Sequence, residues 1–543
     1  MKNSFYKKIH IKTIPASLIF GFLTGFIISA GGVLDKTDAI ELLNPSLWVS
    51  ALIWGIFFTI LSFVLWIVFD FIIDKANPDK KKLNIPLPVC AAVMFVSWIP
   101  YWLSIFPGVF SYDAYDEWKM VADGVYTTHH PLIHTVVLGG LTEGFHHITG
   151  SYNVGIAVYT ALQMILLSTA FSFVIFRLSK IHRSFIMQIL LLAYFSLSPI
   201  IGLFSIASIK DPLFCAVEML FFTYVFEFTL DAEKFVLDRK NVIAVAFFGL
   251  MTMILRKNGL YIVLASDLVI LLTCMKFFKK NFKTLLAIAT VMFIPYVLYA
   301  LSGVVLLHAK GGEYQEMLSV PLQQMARVYY FNEDELSAEE IDRLYEYVPK
   351  KNLDSYLPTL SDRVKSDFNN KAFKDNPSAF FKLWFSLGKR YPLTYVSSFL
   401  INTVDGWYPG AVIDGYRFED RSSYFDYRVA KPGNEVIIFS KLHETADWIS
   451  NDLSAQQGIA FLLLFSPGWY FVWFLNFWIY ALSRKRKGFA TAGSIHVIHF
   501  LTVLLGPMAL VRYGLNFFYG FPVFIWCLIA EGQVLKLANK KEE

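Results

Sequence analysis

A run of acidic side chains follows the third long apolar segment of the chain. Within SYDAYDEW, residues 111–118, three carboxylates lie at spacings of three and four residues: Asp113, Asp116 and Glu117. If the stretch is helical, all three share one face, and crowded carboxylates raise one another's pKa. Such a group can take a proton from a substrate hydroxyl. We therefore predict general-base chemistry here, with Asp113 as the base because it lies nearest the end of the apolar segment.

Three histidines lie further along the same polar stretch, at His129, His130 and His134. The spacing of His130 and His134 suits one helix face, although a histidine pair before Pro131 is also typical of an ordinary helix start. Hydrogen bonding to a substrate and ligation of a divalent metal with the nearby acids both stay open. The residues therefore predict substrate-binding histidines and leave the metal requirement undetermined.

Four further polar motifs interrupt the apolar sequence: SIKDPLF, LRKNGLY, VPLQQMARV and GPMALVRYGLNF. Their cations could hold a phosphate, because guanidinium and ammonium groups form charge-assisted hydrogen bonds to phosphate oxygens. The predicted donor-phosphate ligands are Arg256, Lys257, Lys210, Arg327 and Arg512. The predicted substrate contacts, besides the histidines, are Asp211, Gln323 and Gln324.

The elements that must position these residues are membrane helices. The chain is 56% hydrophobic, and its mean hydropathy of +0.49 is typical of a polytopic membrane protein rather than a soluble one. Apolar runs of about 18–25 residues, long enough to cross a bilayer, recur about twelve times. They are predicted at about residues 14–32, 47–73, 85–106, 152–177, 184–206, 212–230, 241–256, 259–276, 284–307, 456–482, 489–511 and 514–535.

Lysine and arginine clusters set the predicted orientation. Clusters such as Lys80 to Lys82 and Arg484 to Lys487 fall on one side of the predicted helices, and the short segments on the other side hold few cations. The positive-inside rule then predicts that both termini are cytoplasmic. The lack of cysteines in the long external segment and of Asn-x-Ser/Thr acceptors outside Pro-blocked cases favours a bacterial plasma membrane. On this topology the carboxylates, the histidines and the four polar motifs all lie on the outer side.

Three parts follow from this topology. Residues 1–307 are predicted to hold helices one to nine, with a catalytic first external loop at 107–150. Residues 308–455 lack a convincing span and are too long for an ordinary loop, so we expect a mostly helical extracytoplasmic domain between helices nine and ten. Residues 456–543 hold helices ten to twelve and a cytoplasmic tail. The segment SAFFKLWFSLGKR within the domain predicts a helix, either at the membrane interface or in the domain core.

The outer location restricts the chemistry. The chain shows no Walker loop and no Gly-rich dinucleotide fingerprint, and the outer face has no nucleotide pool. A transfer reaction there must use an activated substrate, and a sugar on a polyprenyl phosphate meets that need. Its lipid lies in the bilayer, and its phosphate is a competent leaving group. The carboxylates and cations match a base and a phosphate site. The modest net charge of +5 follows from topology and indicates no nucleic-acid partner.

The ordered motifs resemble the GT-C superfamily of integral-membrane glycosyltransferases, in a Firmicutes branch. They read Pro107-Gly108, Asp113, His130-Pro131, His134-Thr135, Lys210-Asp211, Leu255-Arg256, Asn258-Gly259, Pro321 to Gln324 and Ala326-Arg327. The resemblance implies an all-α GT-C-like fold and inverting transfer from a polyprenyl-phosphate-linked sugar. It also implies an acidic base in the first external loop, which is Asp113, with Asp116 or Glu117 as the second candidates. Some members use a divalent ion, and the motifs do not identify the sugar.

Other function classes stay open from the sequence. The expected acceptor is a cell-envelope glycopolymer such as a wall polysaccharide or teichoic acid. The main alternative is a transporter or lipid flippase for envelope precursors, because four acidic residues lie within predicted spans. These are Glu218, Glu227, Asp267 and Glu531. A polymer ligase or acyltransferase could share the external histidines and arginines.

Overall fold

The computed structural model describes residues 2–76, 84–110, 113–411 and 432–542. The predicted cation cluster Lys80 to Lys82 and the pair Ser111-Tyr112 lie outside these ranges. Regular structure in the described residues consists of α-helices and short 3-10 turns, and extended segments meet only in isolated bridges. The all-α class predicted from the sequence is confirmed.

The N-terminal part of the chain holds the helices that carry most of the candidate site. They are α1 Lys2–Thr37, α2 Pro45–Lys75, α3 Leu87–Ser104, α4 Asp113–Ala122, α5 Leu132–Thr149, α6 Tyr152–Ile181, α7 Phe185–Leu197, α8 Pro199–Ser205, α9 Lys210–Leu230, α10 Ala232–Leu237, α11 Arg239–Leu255, α12 Lys257–Thr273, α13 Met275–Lys280 and α14 Phe282–Leu306.

The C-terminal part begins after the inserted domain, the name used here for residues 308–455. Its helices are α24 Ile459–Phe465, α25 Pro467–Ser483, α26 Lys487–Val503 and α27 Leu515–Glu542, with the 3-10 turn Val511–Gly514 before α27. Helix α9 packs against α6, α11, α26 and α27. Helix α9 therefore lies at the centre of the bundle.

In the described residues, seven helices are long and apolar enough to cross a membrane. Two further pairs, α7 with α8 and α24 with α25, are bent by 59° and 60° and raise the number to nine if each pair is one span. These helices give the pattern of a multi-pass membrane protein. Each of the twelve apolar segments predicted from the sequence coincides with a helix or a bent pair, but α11, α12 and α26 have only 17 residues each. Twelve spans stay a prediction.

Burial separates central helices from peripheral ones. Within the most apolar 18 residues of each helix, 72% is buried inside the protein in α9, against 17% in α2 and 6% in α14. The exposed side chains of α2 and α14 are mostly Leu, Ile, Val and Phe. In water such a surface would favour aggregation, whereas hydrocarbon solvates it without cost. The outer helices therefore present their apolar side chains to lipid.

The inserted domain is helical and has its own core. Phe368, Phe373 and Phe380 pack there with Leu344 and Leu383. Its helices are α15 Ser319–Asn332, α16 Ala338–Tyr347, α17 Lys350–Asp354, α18 Asp362–Lys365, α19 Asn370–Asp375, α20 Pro377–Arg390, α21 Pro392–Trp407, α22 Ser440–Asn451 and α23 Leu453–Gln456. Two 3-10 turns, Tyr314–Met317 and Glu333–Glu335, accompany them.

Two helices of the inserted domain show how it is built. Helix α20 is the segment for which the sequence left an interfacial and a core position open. One face packs into the domain core through Phe380, Leu383 and Leu387, and Phe385 lies exposed on the other side. Helix α21 joins the domain to the bundle, because Tyr395 contributes to the domain core and Ile401 to the bundle core.

The charge asymmetry generates a prediction about sidedness. Met120→Cys and Lys350→Cys should both react with a membrane-impermeant maleimide added outside intact cells, and Lys485→Cys should not. Cys90, Cys215 and Cys527 are buried, so only the half-buried Cys274 needs replacement by Ser in the background. Labelling of positions 120 and 350 from opposite faces would contradict the predicted topology.

Candidate functional site

The chain brings the start of α4 to the start of α9 through a short backbone pairing. Val109 N donates to Ile206 O at 2.9 Å, and Ser208 N donates to Val109 O at 2.7 Å. Gly108 precedes this pairing with φ +126°, and a Cβ there would lie 2.8 Å from Ile206 O. Glycine is therefore required, because it tolerates both the dihedral angle and the close approach. The pairing places Asp113 beside Lys210.

Asp113 lies between two cations. Its Oδ2 accepts a hydrogen bond from Lys210 Nζ and another from Arg512 Nη1 at 3.2 Å. Lys210 is the first residue of α9, and Arg512 lies in the 3-10 turn before α27. The two cations are almost fully buried, whereas the side chain of Asp113 is 23% exposed. Three segments distant in sequence therefore meet at one accessible carboxylate.

A second carboxylate continues the ion network. Asp211 is fully buried, and its Oδ1 lies 2.8 Å from Arg256 Nη1. Its Oδ2 lies 3.4 Å from Nη1 of Arg512, the residue that also contacts Asp113. The ring of Tyr513 lies 4.3 Å from the Arg256 guanidinium and 4.9 Å from that of Arg512, in cation–π contact with both. Tyr513 and Asp211 therefore hold the two arginines beside each other.

Glu117 lies one turn after Asp113 and is fully buried. Its Oε2 lies 2.5 Å from His134 Nδ1, and the Thr135 hydroxyl donates to the same oxygen at 3.1 Å. His134 Nε2 lies 2.6 Å from the Tyr159 hydroxyl, which donates to Gln163 Oε1 at 3.1 Å.

Gln163 sets the direction of this chain of hydrogen bonds. Its Nε2 donates to backbone carbonyls before α9, including Ala207 O at 2.6 Å, so its Oε1 can only accept from Tyr159. Tyr159 oxygen in turn accepts from His134 Nε2–H. The remaining nitrogen, His134 Nδ1, therefore shares a proton with Glu117. This chain of hydrogen bonds fixes the orientation of the Glu117 carboxylate on the side away from Lys210.

His130 completes the cluster from the turn before α5. It is 5% exposed, and its Nδ1 lies 3.5 Å from Lys210 Nζ and 3.9 Å from oxygens of both Asp113 and Glu117. One potential ligand atom each from Asp113, Glu117 and His130 falls within 4.8 Å of the others. These residue types are ligands of divalent transition metals, and Lys210 Nζ contacts all three of them.

Burial and neighbouring charges shift the pKa values in opposite directions. Burial raises the pKa of Asp113, but Arg512 and Lys210 outweigh it and hold that pKa well below its usual range. The pKa of Glu117 is raised by burial and lowered more strongly by His134 and Lys210. Burial and Lys210 lower the pKa of His130 to about 4. Near neutrality the cluster therefore holds ionised Asp113 and neutral His130.

Asp116 and His129 lie on the exposed side of the same segment. Both line an open cavity of about 330 Å³ with Lys119, Asp123 and Thr127. Burial, followed by the negative charge of Asp113, raises the pKa of Asp116. Asp113 and Glu117 face Lys210, whereas Asp116 faces the open cavity. The expectation that crowding raises the pKa therefore holds for Asp116, but it was wrong for the predicted base Asp113, because Arg512 and Lys210 lower that pKa.

Four other predicted residues do not join the ion network. Lys257 is exposed at the start of α12, beside Gly312. Residues of α15 bond within the inserted domain or to the loop after α1. Gln323 Nε2 donates to Pro358 O at 3.2 Å, Gln324 Nε2 donates to Tyr395 O at 3.2 Å, and Arg327 Nη1 donates to Tyr356 OH at 3.0 Å. The contacts of the α15 residues are those of domain packing.

Sequence reasoning missed three residues that support the site: Tyr159, Gln163 and Tyr513. Tyr159 and Gln163 lie in the middle of the apolar helix α6, four residues apart and on one face. A glutamine within an apolar span is costly without a partner, and this signal could have marked the helix face that meets the site. Tyr513 follows Arg512 directly and gave no comparable signal.

The hydrogen-bond chain behind Glu117 generates a stability prediction. Tyr159→Phe removes the hydroxyl that joins His134 to Gln163 and leaves two buried polar atoms without a partner. We expect the free energy of unfolding, measured by SDS titration in mixed micelles, to fall by about 1–3 kcal/mol. Tyr261→Phe, at an exposed tyrosine of α12, is the matched control and should change it by less than about 0.5 kcal/mol. Equal values for the two variants would contradict the role given to Tyr159.

A family model described as "Family of unknown function (DUF6020)" matches residues 121–487. The matched stretch includes His130, His134, Lys210, Asp211 and Arg256. It begins after Asp113 and Glu117 and ends before the 3-10 turn that carries Arg512. No curated protein and no solved structure matches the chain. Because the match covers more than half of the sequence, the chain belongs to the DUF6020 family.

Proposed function

We propose that the protein is an integral-membrane glycosyltransferase of the GT-C type. It moves a sugar from a polyprenyl-phosphate donor to a cell-envelope glycopolymer on the outer side of a bacterial plasma membrane. One observation carries the proposal: carboxylates and cations from α4, α9, the residue before α12 and the turn before α27 converge in one buried network with one accessible carboxylate. Groups of both signs are what transfer from a phosphate leaving group needs.

Asp113 is the proposed base. Its side chain is 23% exposed, whereas that of Glu117 is fully buried, so an acceptor hydroxyl can reach Asp113. In the proposed step Asp113 takes the hydroxyl proton, and the acceptor oxygen forms a bond to the anomeric carbon. The bond from that carbon to the phosphate oxygen breaks on the opposite face, so the configuration inverts. Polyprenyl phosphate leaves with the electron pair.

Arg256 and Arg512 are the proposed phosphate ligands. In the structure their charges are satisfied by Asp211 and Asp113. A phosphate that accepts from Arg512 would draw this cation from Asp113, whose lowered pKa depends on it. Donor binding would then make Asp113 a stronger base, because less positive charge stabilises its ionised form. Donor binding and base strength are therefore coupled through one guanidinium.

The transporter alternative receives less support from the acidic residues in the bundle. Glu218 is fully buried with its oxygens 3.0 Å from His496 Nδ1 and 2.6 Å from His499 Nδ1. Glu227 is paired with Arg177. Glu531 accepts from the first backbone N–H groups of α26, at 2.8 and 3.0 Å. Helix pairing and capping account for these three residues, and Asp267 is the one remaining candidate from the sequence.

The assignment of Asp113 as the base predicts that a conservative substitution there greatly reduces sugar transfer. Asp113→Asn keeps the shape of the side chain and removes its charge. Lys210 keeps Glu117 at 3.9 Å and Arg512 keeps Asp211 at 3.4 Å, so the protein should still fold and insert, with lower stability than wild type. Sugar transfer from a polyprenyl-phosphate donor should fall by about 10²–10⁴-fold, the usual contribution of general-base catalysis. Turnover by purified protein in proteoliposomes measures this.

The matched control for that change is Asp123→Asn, which removes an aspartate just after α4 that lines the open cavity. It should leave transfer within a few-fold of the wild-type rate. Near-normal activity of well-folded Asp113→Asn would exclude Asp113 as the base. A selective loss in Glu117→Gln instead would place the base one helical turn further.

The phosphate assignment predicts a loss of donor binding. Arg256→Ala removes one charge-assisted contact to phosphate, worth roughly 1.5–3 kcal/mol, so the apparent donor affinity should weaken about 10- to 100-fold. Acceptor affinity should change much less. Arg343→Ala, at an exposed arginine of α16 paired with Glu339, is the control and should change neither. An unchanged donor affinity in Arg256→Ala would move the phosphate site to Lys210 or Arg512.

A further inference from the structure

Three side chains of the site have the composition of a divalent metal site. Asp113 and Glu117 offer carboxylate oxygens and His130 offers an imidazole nitrogen, and these ligand atoms lie within 4.8 Å of one another. Zinc and cobalt take such ligands at about 2.0–2.2 Å. By ligand type and spacing alone, the trio could hold a metal ion.

The ammonium of Lys210 contacts every member of this trio. Its Nζ is hydrogen-bonded to Asp113 Oδ2, lies 3.5 Å from His130 Nδ1 and lies 3.9 Å from Glu117 Oε1. These are the same three residues that would have to coordinate the metal. An ion bound to them would lie within a few ångströms of a positive charge, and burial of Glu117, His130 and Lys210 leaves that repulsion weakly screened by water. The ammonium and the metal therefore compete for one position.

The position of Lys210 is fixed by the fold. It is the first residue of the central helix α9, and the two backbone hydrogen bonds between residues 109 and 206–208 hold that end of the helix. The residue is 9% exposed and lies with Asp211 at its side. A long surface lysine could turn away to admit an ion, whereas the side chain of Lys210 is 11% exposed and is hydrogen-bonded to Asp113. Two carboxylates and one imidazole therefore face a cation that belongs to the chain.

We propose that Lys210 is the built-in cation of this site, and that its ammonium takes the place of a divalent ion at Asp113, Glu117 and His130. The site then needs no metal to balance its carboxylates, and removal of the lysine creates a metal site from the same three ligands. The inference rests on the proposed function only where it concerns what the Lys210 charge does during sugar transfer. Metal binding itself is measured without donor or acceptor, so the two proposals can fail separately.

Cobalt titration of the full-length protein, purified without a histidine tag and treated with chelator, tests the inference. Co²⁺ reports its own ligands through its visible absorption. Wild type should show no saturable cobalt site that depends on His130. Lys210→Met should gain one Co²⁺ per chain, and adding His130→Ala should weaken that binding by about tenfold or more. Lys119→Met, at an exposed lysine of α4, is the control and should gain none.

Two results would overturn the inference. One is wild-type protein that binds one Co²⁺ with an absorption lost in His130→Ala, because the ion would then displace the ammonium. The other is folded Lys210→Met, or the more polar Lys210→Gln, that binds no more Co²⁺ than wild type. The wild-type measurement can overturn the inference even if neither lysine variant folds. Sugar transfer that survives chelation would support the inference, and transfer lost on chelation and restored by Co²⁺ would oppose it.

Discussion

The ion pairs of Asp113 and Asp211 with Lys210, Arg256 and Arg512 are the interaction on which the arrangement of the site depends. Most of these side chains are buried, and a buried charge without a partner costs several kcal/mol. The five side chains come from four segments, so the starts of α4, α9, α12 and α27 must meet at one end of the bundle. Removing one charge would leave another unpaired, which ties the position of these helices to the chemistry of the site.

Around this network, backbone, aromatic and hydrogen-bond contacts fix the positions of the charged side chains more closely than ion pairing alone would. Gly108 allows the backbone to approach the turn before α9, and Tyr513 holds two guanidinium groups side by side. Gln163 ties Glu117 to the carbonyls of the same turn through Tyr159 and His134. A catalytic carboxylate needs such support, because small displacements from the reacting geometry cost large factors in rate. The accessible Asp113 is thus held by the buried side chains of Lys210, Arg512 and His130.

The sequence predicts the helices well because apolar runs of membrane length are a strong local signal. It also predicts that Asp113, Lys210, Arg256 and Arg512 belong together, since each follows or precedes such a run on one predicted side. Prediction from the sequence fails where tertiary packing determines which way a polar side chain faces. Asp116 and Glu117 are neighbours, and only the fold determines that one faces the cluster and the other the open cavity. Gln323, Gln324 and Arg327 have polar side chains that the inserted domain uses for its own packing.

The central claim is that this ion network holds the phosphate of a lipid-linked sugar. A cryo-electron microscopy structure of the protein in a nanodisc with bound polyprenyl phosphate tests it most directly. The account predicts phosphate within hydrogen-bonding distance of the Arg256 or Arg512 guanidinium, with the isoprenoid chain leaving between helices into lipid. Phosphate bound away from both arginines, for example beside Glu218 within the bundle, would contradict the account.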